Sequence, residues 1–251
     1  MTTIGIIGTG AEAATVAQRL AAGGRRILHH ITPPLASLRG RGNLEAAATP
    51  SDIALECSVV FLSFDDTPRV RQLLLGDENR AGLAAELSPG AIVIDMGMRP
   101  PRETQALLGI LGLRGIGLVD AAWIGKFDAP QCGQLTVLAG GFPDAVDAAM
   151  PVLELLGRVE RSGPLGSAQT AAALVGYAEL AYVTAQAEAL AIADALGLSR
   201  ALLSPAVAEP PDIASLDRLN RRSDVVHAVA ADSDECATIL AFQRPNARSG
   251  R

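Results

Sequence analysis

The chain is 251 residues long, 49% hydrophobic and 19% charged, a balance that supports a large buried core and excludes intrinsic disorder. Its 21 basic and 27 acidic side chains sum to a net charge of −6, so no nucleic-acid partner is expected, because polyanion binding draws on a basic excess. The longest uncharged stretch, residues 162–178, contains Gly, Pro, Gln and Ser and falls short of the roughly 20 apolar residues of a membrane helix, so no membrane partner is expected either.

The first residues run directly into a strand pattern, with no basic stretch, apolar stretch and small-residue cleavage site in succession, and the expected location is cytoplasmic. Cys57, Cys132 and Cys236 lack C-x-x-C spacing, and only His29, His30 and His227 stand beside them as nitrogen donors. Neither a disulfide framework nor a metal site is expected. Every basic residue except Lys126 is an arginine. That lysine is either a survivor of a coding bias toward Arg and Ala or a place where a compact, tunable ammonium is needed.

In chain order, residues 3–8 read as an apolar strand and 11–22 as a helix closed by Gly23-Gly24. Residues 26–31 form a second strand, a loop carrying Pro33, Pro34, Arg39 and Arg41 follows, and Thr49-Pro50-Ser51-Asp52 opens a helix. The run 59–64 is apolar but for Ser63, as in parallel strands covered on both faces. A helix begins near Pro68, residues 91–95 are another strand, 100–111 a helix, 117–120 and 134–139 strands, and 143–156 a helix. Repeated βα units of this length predict an α/β fold with a doubly wound parallel sheet over residues 1–162.

From 166 to 198 the composition turns to Ala, Leu, Val and Ile with no turn signal before Gly197. This predicts one helix of about 45 Å at ~1.5 Å per residue, buried on most faces. Pro205, Pro210 and Pro211 interrupt, residues 215–240 are helical again, and the tail frays from about 244. Residues 163–251 therefore form a truncated all-α C-terminal domain. An Ala-rich helix with so little of its own domain to cover it predicts a homodimer formed through that helix.

Gly8-Thr9-Gly10-Ala11-Glu12-Ala13 follows the first strand and opens the first helix, a G-x-G-x-x-A pattern in a βαβ context. Gly8 permits the tight turn, Gly10 lets a pyrophosphate approach the backbone, Ala13 lets the helix pack closely on the strand, and the helix N-terminus favours the anion. The N-terminal domain is therefore read as Rossmann-type. Glu12 is out of place in such a loop unless it points away from phosphate. The acid that binds the ribose 2′-hydroxyl of NAD about 20 residues on is missing, since no Asp or Glu lies between Glu12 and Glu45. The second strand ends instead in His29-His30-Ile31-Thr32, with Arg39 and Arg41 beyond to receive a 2′-phosphate. The expected cofactor is NADP, with NAD as the alternative, and the expected contacts are Gly8, Thr9, Gly10, Ala11, Glu12, Ala13, His30, Thr32 and Arg39.

The order of these landmarks resembles the β-hydroxyacid dehydrogenase family, which holds the 3-hydroxyisobutyrate and 6-phosphogluconate dehydrogenases and, as a divergent branch, the imine reductases. The resemblance rests on Gly5-Ile6-Ile7-Gly8-Thr9-Gly10, Val60-Phe61-Leu62-Ser63-Phe64-Asp65, residues 89–96, Val119-Asp120-Ala121, residues 133–141, and the helix from Gly163 to Leu198 with its Ala187-Glu188-Ala189-Leu190. It adds Ser63, Phe64, Asp65 and Met98 to the cofactor contacts and implies a small-molecule substrate.

The catalytic positions of the family are not kept. The resemblance places a carboxylate-holding Ser at Ile124, the general acid/base Lys of G-x-G-x-x-x-K-x-x-x-N at Ala172 and its Asn partner at Gly176. Losing a general base typically costs ~10²- to 10⁴-fold, which disfavours a hydroxyacid substrate. An iminium is already protonated and cationic, so an apolar pocket can orient it without an anion clamp. The activity expected is NADPH-dependent hydride transfer to an imine or an apolar carbonyl compound.

The candidate catalytic residues are Glu179, on the same helical face as Ala172 seven residues on, Tyr177, which with Tyr182 flanks that face, and Lys126, in the loop the family uses for substrate. Each also has a structural reading, as an ion-paired or interfacial acid, a core or interface filler and a loop charge respectively. Asp224 falls where the family often has Lys-Asp, without the Lys. Two alternatives stay open: a non-catalytic dinucleotide-binding protein of the same fold, and a hydroxyacid dehydrogenase whose base has moved to Lys126.

Overall fold

The computed structural model describes residues 3–33, 38, 42–64, 66–77, 80–124, 135–203 and 220–228. The chain divides into two compact units, residues 1–171 and 172–251. The first runs through β1 (Ile4–Thr9), α1 (Gly10–Ala22), β2 (Ile27–Thr32), β3 (Leu44–Ala46), α2 (Pro50–Glu56), β4 (Val59–Ser63) and α3 (Thr67–Leu75). A two-residue hairpin of β5 (Gly76–Asp77) and β6 (Arg80–Ala81) leads to α4 (Leu83–Glu86), β7 (Ile92–Asp95), α5 (Pro101–Gly112), β8 (Gly117–Ile124), β9 (Thr136–Gly141), α6 (Pro143–Leu153) and β10 (Arg158–Gly163).

Eight strands form one sheet in the order β10-β9-β8-β7-β4-β1-β2-β3. From β8 to β3 all neighbours are parallel, and the central strands β4 and β7 are buried on both faces. On one face Ile4, Ile6, Phe61 and Ile94 pack with Leu20 of α1 and Leu153 of α6. On the other, Ile7, Val60, Leu62 and Val93 pack with Ile53 of α2, Leu74 of α3 and Leu107 and Leu111 of α5. The continuous apolar runs of β4 and β7 follow from this double cover. Chain order reverses between β1 and β4, so the crevice at their carboxyl ends is the switch point where such sheets take ligands. The start of α2 is fixed as its sequence predicts: Thr49 accepts from the Asp52 N–H, and the Asp52 carboxylate accepts from the Thr49 N–H.

The sheet departs from an all-parallel one at β9, which runs antiparallel to β8 from Val119↔Gly141 to Ile124↔Thr136. A parallel step needs a crossover of a dozen or more residues, usually helical, and the link from Ile124 to Thr136 is shorter. β10, a strand not expected from the sequence, then pairs parallel with β9. It is a charged edge strand, with Arg161 paired to Asp147 and Arg158 to Glu160, and charge on an edge blocks further pairing.

The unit boundary falls inside α7 (Ser167–Ala195), because the first turn of that helix is bonded to β8. Asp120 Oδ1 accepts from the Gly166 N–H at 2.7 Å, and its Oδ2 accepts from the Ala168 and Gln169 N–H groups at 2.9 and 3.1 Å. A side chain from a neighbouring strand thus does the work of an N-cap, satisfying donors that a helix start leaves open.

The second unit contains the rest of α7 and a helix, α8, over residues 220–228. Ala172, Ala173, Leu190 and Ala193 are buried, but Leu174, Tyr182 and Ile192 are 54%, 60% and 60% exposed. Within one chain the long helix is therefore not buried on most faces, and its apolar surface stays open. Among the described residues no helix is long and apolar enough to cross a membrane.

Replacing Asp120 by Ala removes the acceptor for three N–H groups and should lower unfolding stability by about 3 kcal/mol, with Asp120→Asn, which keeps one acceptor oxygen, losing less. Urea unfolding midpoints of the two variants test the order.

Candidate functional site

The turn between β1 and α1 is built by two glycines with different tasks. Gly8 lies in β1 opposite Ser63 of β4, and a Cβ there would stand 2.8 Å from the Ser63 carbonyl oxygen and 2.9 Å from the Ala13 Cβ. It is a close-approach glycine, and the fully buried Ala13 is its counterpart on α1. The tight turn assigned to Gly8 from the sequence belongs instead to Gly10, whose φ is +73°. A Cβ on Gly10 would meet nothing within 4 Å, so the backbone faces open space. Thr9 is the N-cap of α1, with φ −129° and ψ 150°, and its side chain makes no capping hydrogen bond. Ala11 is exposed and Glu12 half-buried in this first turn, where the helix dipole favours an acid. An uncapped helix N-terminus beside an open positive-φ glycine has the donors and the room that a pyrophosphate requires, so the residues present fit a dinucleotide.

The neighbouring strand end carries polar groups and a cation. Thr32, the last residue of β2, is in register with Thr9. The half-buried His30 has Nδ1 3.3 Å from the Ala47 carbonyl oxygen. Burial, and secondarily His30, lowers the pKa of His29, whose Nδ1 is buried without a hydrogen-bond partner among the described residues. Arg69, in the first turn of α3, donates from Nη2 to Thr32 Oγ1 at 3.2 Å, and its guanidinium lies 5.0 Å from the centre of the Phe64 ring. Sequence reasoning passed over Arg69. The available signal was the helix start Asp66-Thr67-Pro68 directly after an apolar strand, which projects the next side chain toward the carboxyl edge of the sheet. Arg39, Arg41, Asp65 and Lys126, all singled out from the sequence, lie outside the described residues.

At the ends of β4 and β7 a buried polar cluster ties three segments together. Asp95 and Arg99 pair at 2.9 Å with side chains 0% and 1% exposed. Arg99 also donates to the Phe64 carbonyl oxygen at 2.7 Å and to Thr67 Oγ1 at 3.3 Å. Gln169 of α7 donates from Nε2 to Asp95 Oδ2 at 3.2 Å and accepts from Thr104 Oγ1 at 2.7 Å. Burial pushes the Asp95 carboxyl up, against the pull of Arg99 and of donors from Gly97 and Gln169. Burial likewise pushes Asp120 up, against its three backbone donors. Ser63 and Phe64 are buried in this wall, and Met98 is half-buried in the loop after β7. Arg99, Gln169 and Thr104 were not singled out from the sequence, although a lone Asp in an apolar strand, as at 95 and 120, marks a buried charge that must find partners.

The candidate proton donors lie in the second unit. Tyr177 meets the His227 ring edge-on, centroids 6.0 Å apart at 74°. Glu179 Oε2 is 3.9 Å from Arg222 Nη1, with the Glu179 side chain 52% exposed. Tyr182 and Asp224 are exposed. Ala172 is fully buried, and a Cβ on Gly176 would stand 2.1 Å from Arg222 Cδ. Ile124 closes β8, half-buried.

Residues 3–172 match the family described as the NAD binding domain of 6-phosphogluconate dehydrogenase. The chain is 30% identical over 209 residues to 3-hydroxyisobutyrate dehydrogenase from Pseudomonas aeruginosa, covering 81% of this chain and 68% of that protein. It spans 53–58% of the length of three further curated relatives. The crystal structure of 3-hydroxyisobutyrate dehydrogenase from Salmonella typhimurium is similar with a TM-score of 0.73 at 23% identity, covering 92% of this chain and 80% of that one. Imine reductase from Myxococcus stipitatus in complex with NADP+ is similar with a TM-score of 0.70 at 19% identity, covering 99% and 81%. At such identities the shared feature is the fold.

The two glycines should separate experimentally. Gly8→Ala forces a methyl into packed atoms and should cost about 2 kcal/mol of stability together with nucleotide binding. Gly10→Ala meets no protein atom, should cost only about 1 kcal/mol for its backbone conformation, and should still weaken dinucleotide binding by at least roughly tenfold, since the methyl occupies phosphate space. Thermal melts paired with calorimetric titration check both.

Proposed function

The chain belongs to the family of the NAD binding domain of 6-phosphogluconate dehydrogenase, and from that premise we propose that it is an NADPH-dependent oxidoreductase reducing an imine or an apolar carbonyl compound. The carrying observation is that the positions to which the resemblance assigns the acid/base Lys and its Asn are sealed as well as apolar. Ala172 is fully buried and Gly176 has no room for a side chain beside Arg222.

In this reading Gly10 and the open N-terminus of α1 hold the diphosphate, Thr32 and His30 border the adenosine ribose, and Ser63, Phe64 and Met98 border the nicotinamide half. Bound there, a reduced nicotinamide supplies a hydride to the substrate. The chain's own task is then to orient the acceptor and to exclude water. A protonated imine needs no proton from the protein as it is reduced, whereas a carbonyl oxygen does. Tyr177 and Glu179 are the candidates for that step, but the first packs on His227 and the second faces Arg222. Their engagement favours the imine.

The exposed apolar residues of α7, Leu174, Tyr182 and Ile192, are proposed to be covered by a second copy of the chain, since closed two-fold dimers are the commonest way for such a helix to be covered. Light scattering on the purified protein should give the mass of a dimer, and a monomer at micromolar concentration would discard this part.

The functional test follows NADPH absorbance with cyclic imines, ketones and small hydroxyacids as substrates. The expected result is NADPH oxidation by a cyclic imine, with Tyr177→Phe and Glu179→Gln each slowing it less than about tenfold, below the usual effect of removing a general acid. NADPH binding without turnover of any class would instead support the non-catalytic reading, which the sealed 172 and 176 positions equally favour. Oxidation of a hydroxyacid that Lys126→Ala abolishes would support a relocated base.

A further inference from the structure

The carboxyl end of β2 is where the adenosine ribose of a dinucleotide meets a sheet of this topology, because β2 adjoins the strand that carries the glycine turn. Thr32 closes β2 directly beside Thr9. NAD-binding sheets place a carboxylate there to take the ribose hydroxyls. This chain has no Asp or Glu between Glu12 and Glu45, and Glu45 is committed elsewhere. Its two carboxylate oxygens accept from Arg26 at 2.9 and 2.7 Å, and Glu56 holds the same guanidinium at 3.1 Å. Arg26 precedes β2, so that cluster lies at the amino end of the strand, on the order of 15–20 Å from Thr32 at ~3.3 Å per residue.

What reaches Thr32 is a guanidinium. Arg69 Nη2 donates to Thr32 Oγ1 at 3.2 Å, and its Cζ lies over the Phe64 ring, 5.0 Å from the centroid. Its backbone is fixed in the first turn of α3, where Asp66 Oδ1 accepts from the Arg69 N–H at 3.3 Å. The residue is exposed. The bond to Thr32 uses one of the five guanidinium N–H donors, and a planar fork of N–H groups suits a phosphate. Thr32 Oγ1, already accepting from Arg69, keeps its own proton to donate.

We infer that Arg69 and Thr32 form the subsite for the 2′-phosphate of NADP, and that Arg69, carried on α3, is the residue that discriminates NADP from NAD. The inference rests on the cofactor reading above and sharpens it by naming the discriminating residue. Arg69 supplies the charge, Phe64 and the α3 cap hold it in place, and Thr32 adds a neutral donor. A nucleotide without the phosphate gains nothing from the cation.

The test titrates the purified full chain, wild type and variants, with NADP+ and with NAD+ by calorimetry, alongside thermal melts. Wild type should bind NADP+ more tightly than NAD+. Arg69→Ala should weaken NADP+ by about 10- to 100-fold, the range of a charge-assisted hydrogen bond to phosphate, and change NAD+ by less than about threefold. Arg69→Lys, with the charge but not the fork, should fall between. Equal loss for both nucleotides, as adenine stacking or a structural role would give, overturns the inference, and so does an unchanged NADP+ affinity or a wild-type preference for NAD+. A wild-type chain that binds neither nucleotide overturns the cofactor reading itself, and the inference with it.

Discussion

Two buried carboxylates on neighbouring strands, Asp95 at the end of β7 and Asp120 midway along β8, lie side by side in direct register. A buried charge without partners costs several kcal/mol, so the surrounding chain must answer both. Asp95 is answered by Arg99, Gly97 and Gln169, and Asp120 by the first backbone amides of α7. The two answers meet at Gln169, whose amide N–H goes to one carboxylate and whose side chain goes to the other. The start of α7 is thereby placed by electrostatics as much as by packing. Gly97 follows from the same cluster, because a Cβ there would stand 2.0 Å from both Arg99 Nη2 and the Phe64 carbonyl oxygen.

This cluster also fixes the edge at which chemistry is proposed. Arg99 holds the carbonyl of Phe64 after β4 and the hydroxyl of Thr67 at the start of α3. Phe64 in turn carries Arg69 toward the end of β2. A chain of contacts therefore runs from the buried ion pair to the ribose side of the glycine turn, and each link restricts the next. Pre-organisation of this kind lets a helix-borne cation act without the entropy cost of ordering it on binding.

What was legible in the sequence was whatever leaves a periodic or local signature. β1, β4 and β7 announced themselves as unbroken apolar runs, Thr49 to Asp52 as a capping box, and Gly8 to Ala13 as a turn with its following helix. β3 and β10 did not, because edge strands are short or charged and share no pattern with buried ones. The reversal at β9 was hidden because strand direction is set by the length of the connection rather than by the strand. The partnerships Arg69–Thr32, Gln169–Asp95 and Arg222–Gly176 join residues 37, 74 and 46 positions apart, or are written in a missing side chain. No window of sequence contains them. The family landmarks located Gly176 but not its cause, which is the arginine stem lying against it.

The attachment of α7 through Asp120 is one-sided. Three charge-assisted bonds secure its first turn, while its later turns carry exposed residues such as Tyr182, Glu188 and Ile192. A helix bonded through its first turn and only partly covered beyond it opens more readily away from that bond. Deuterium uptake by backbone amides would therefore form a gradient along the helix in an isolated chain, slow where it leaves the sheet and fast toward Ala195, and a covering subunit would flatten that gradient.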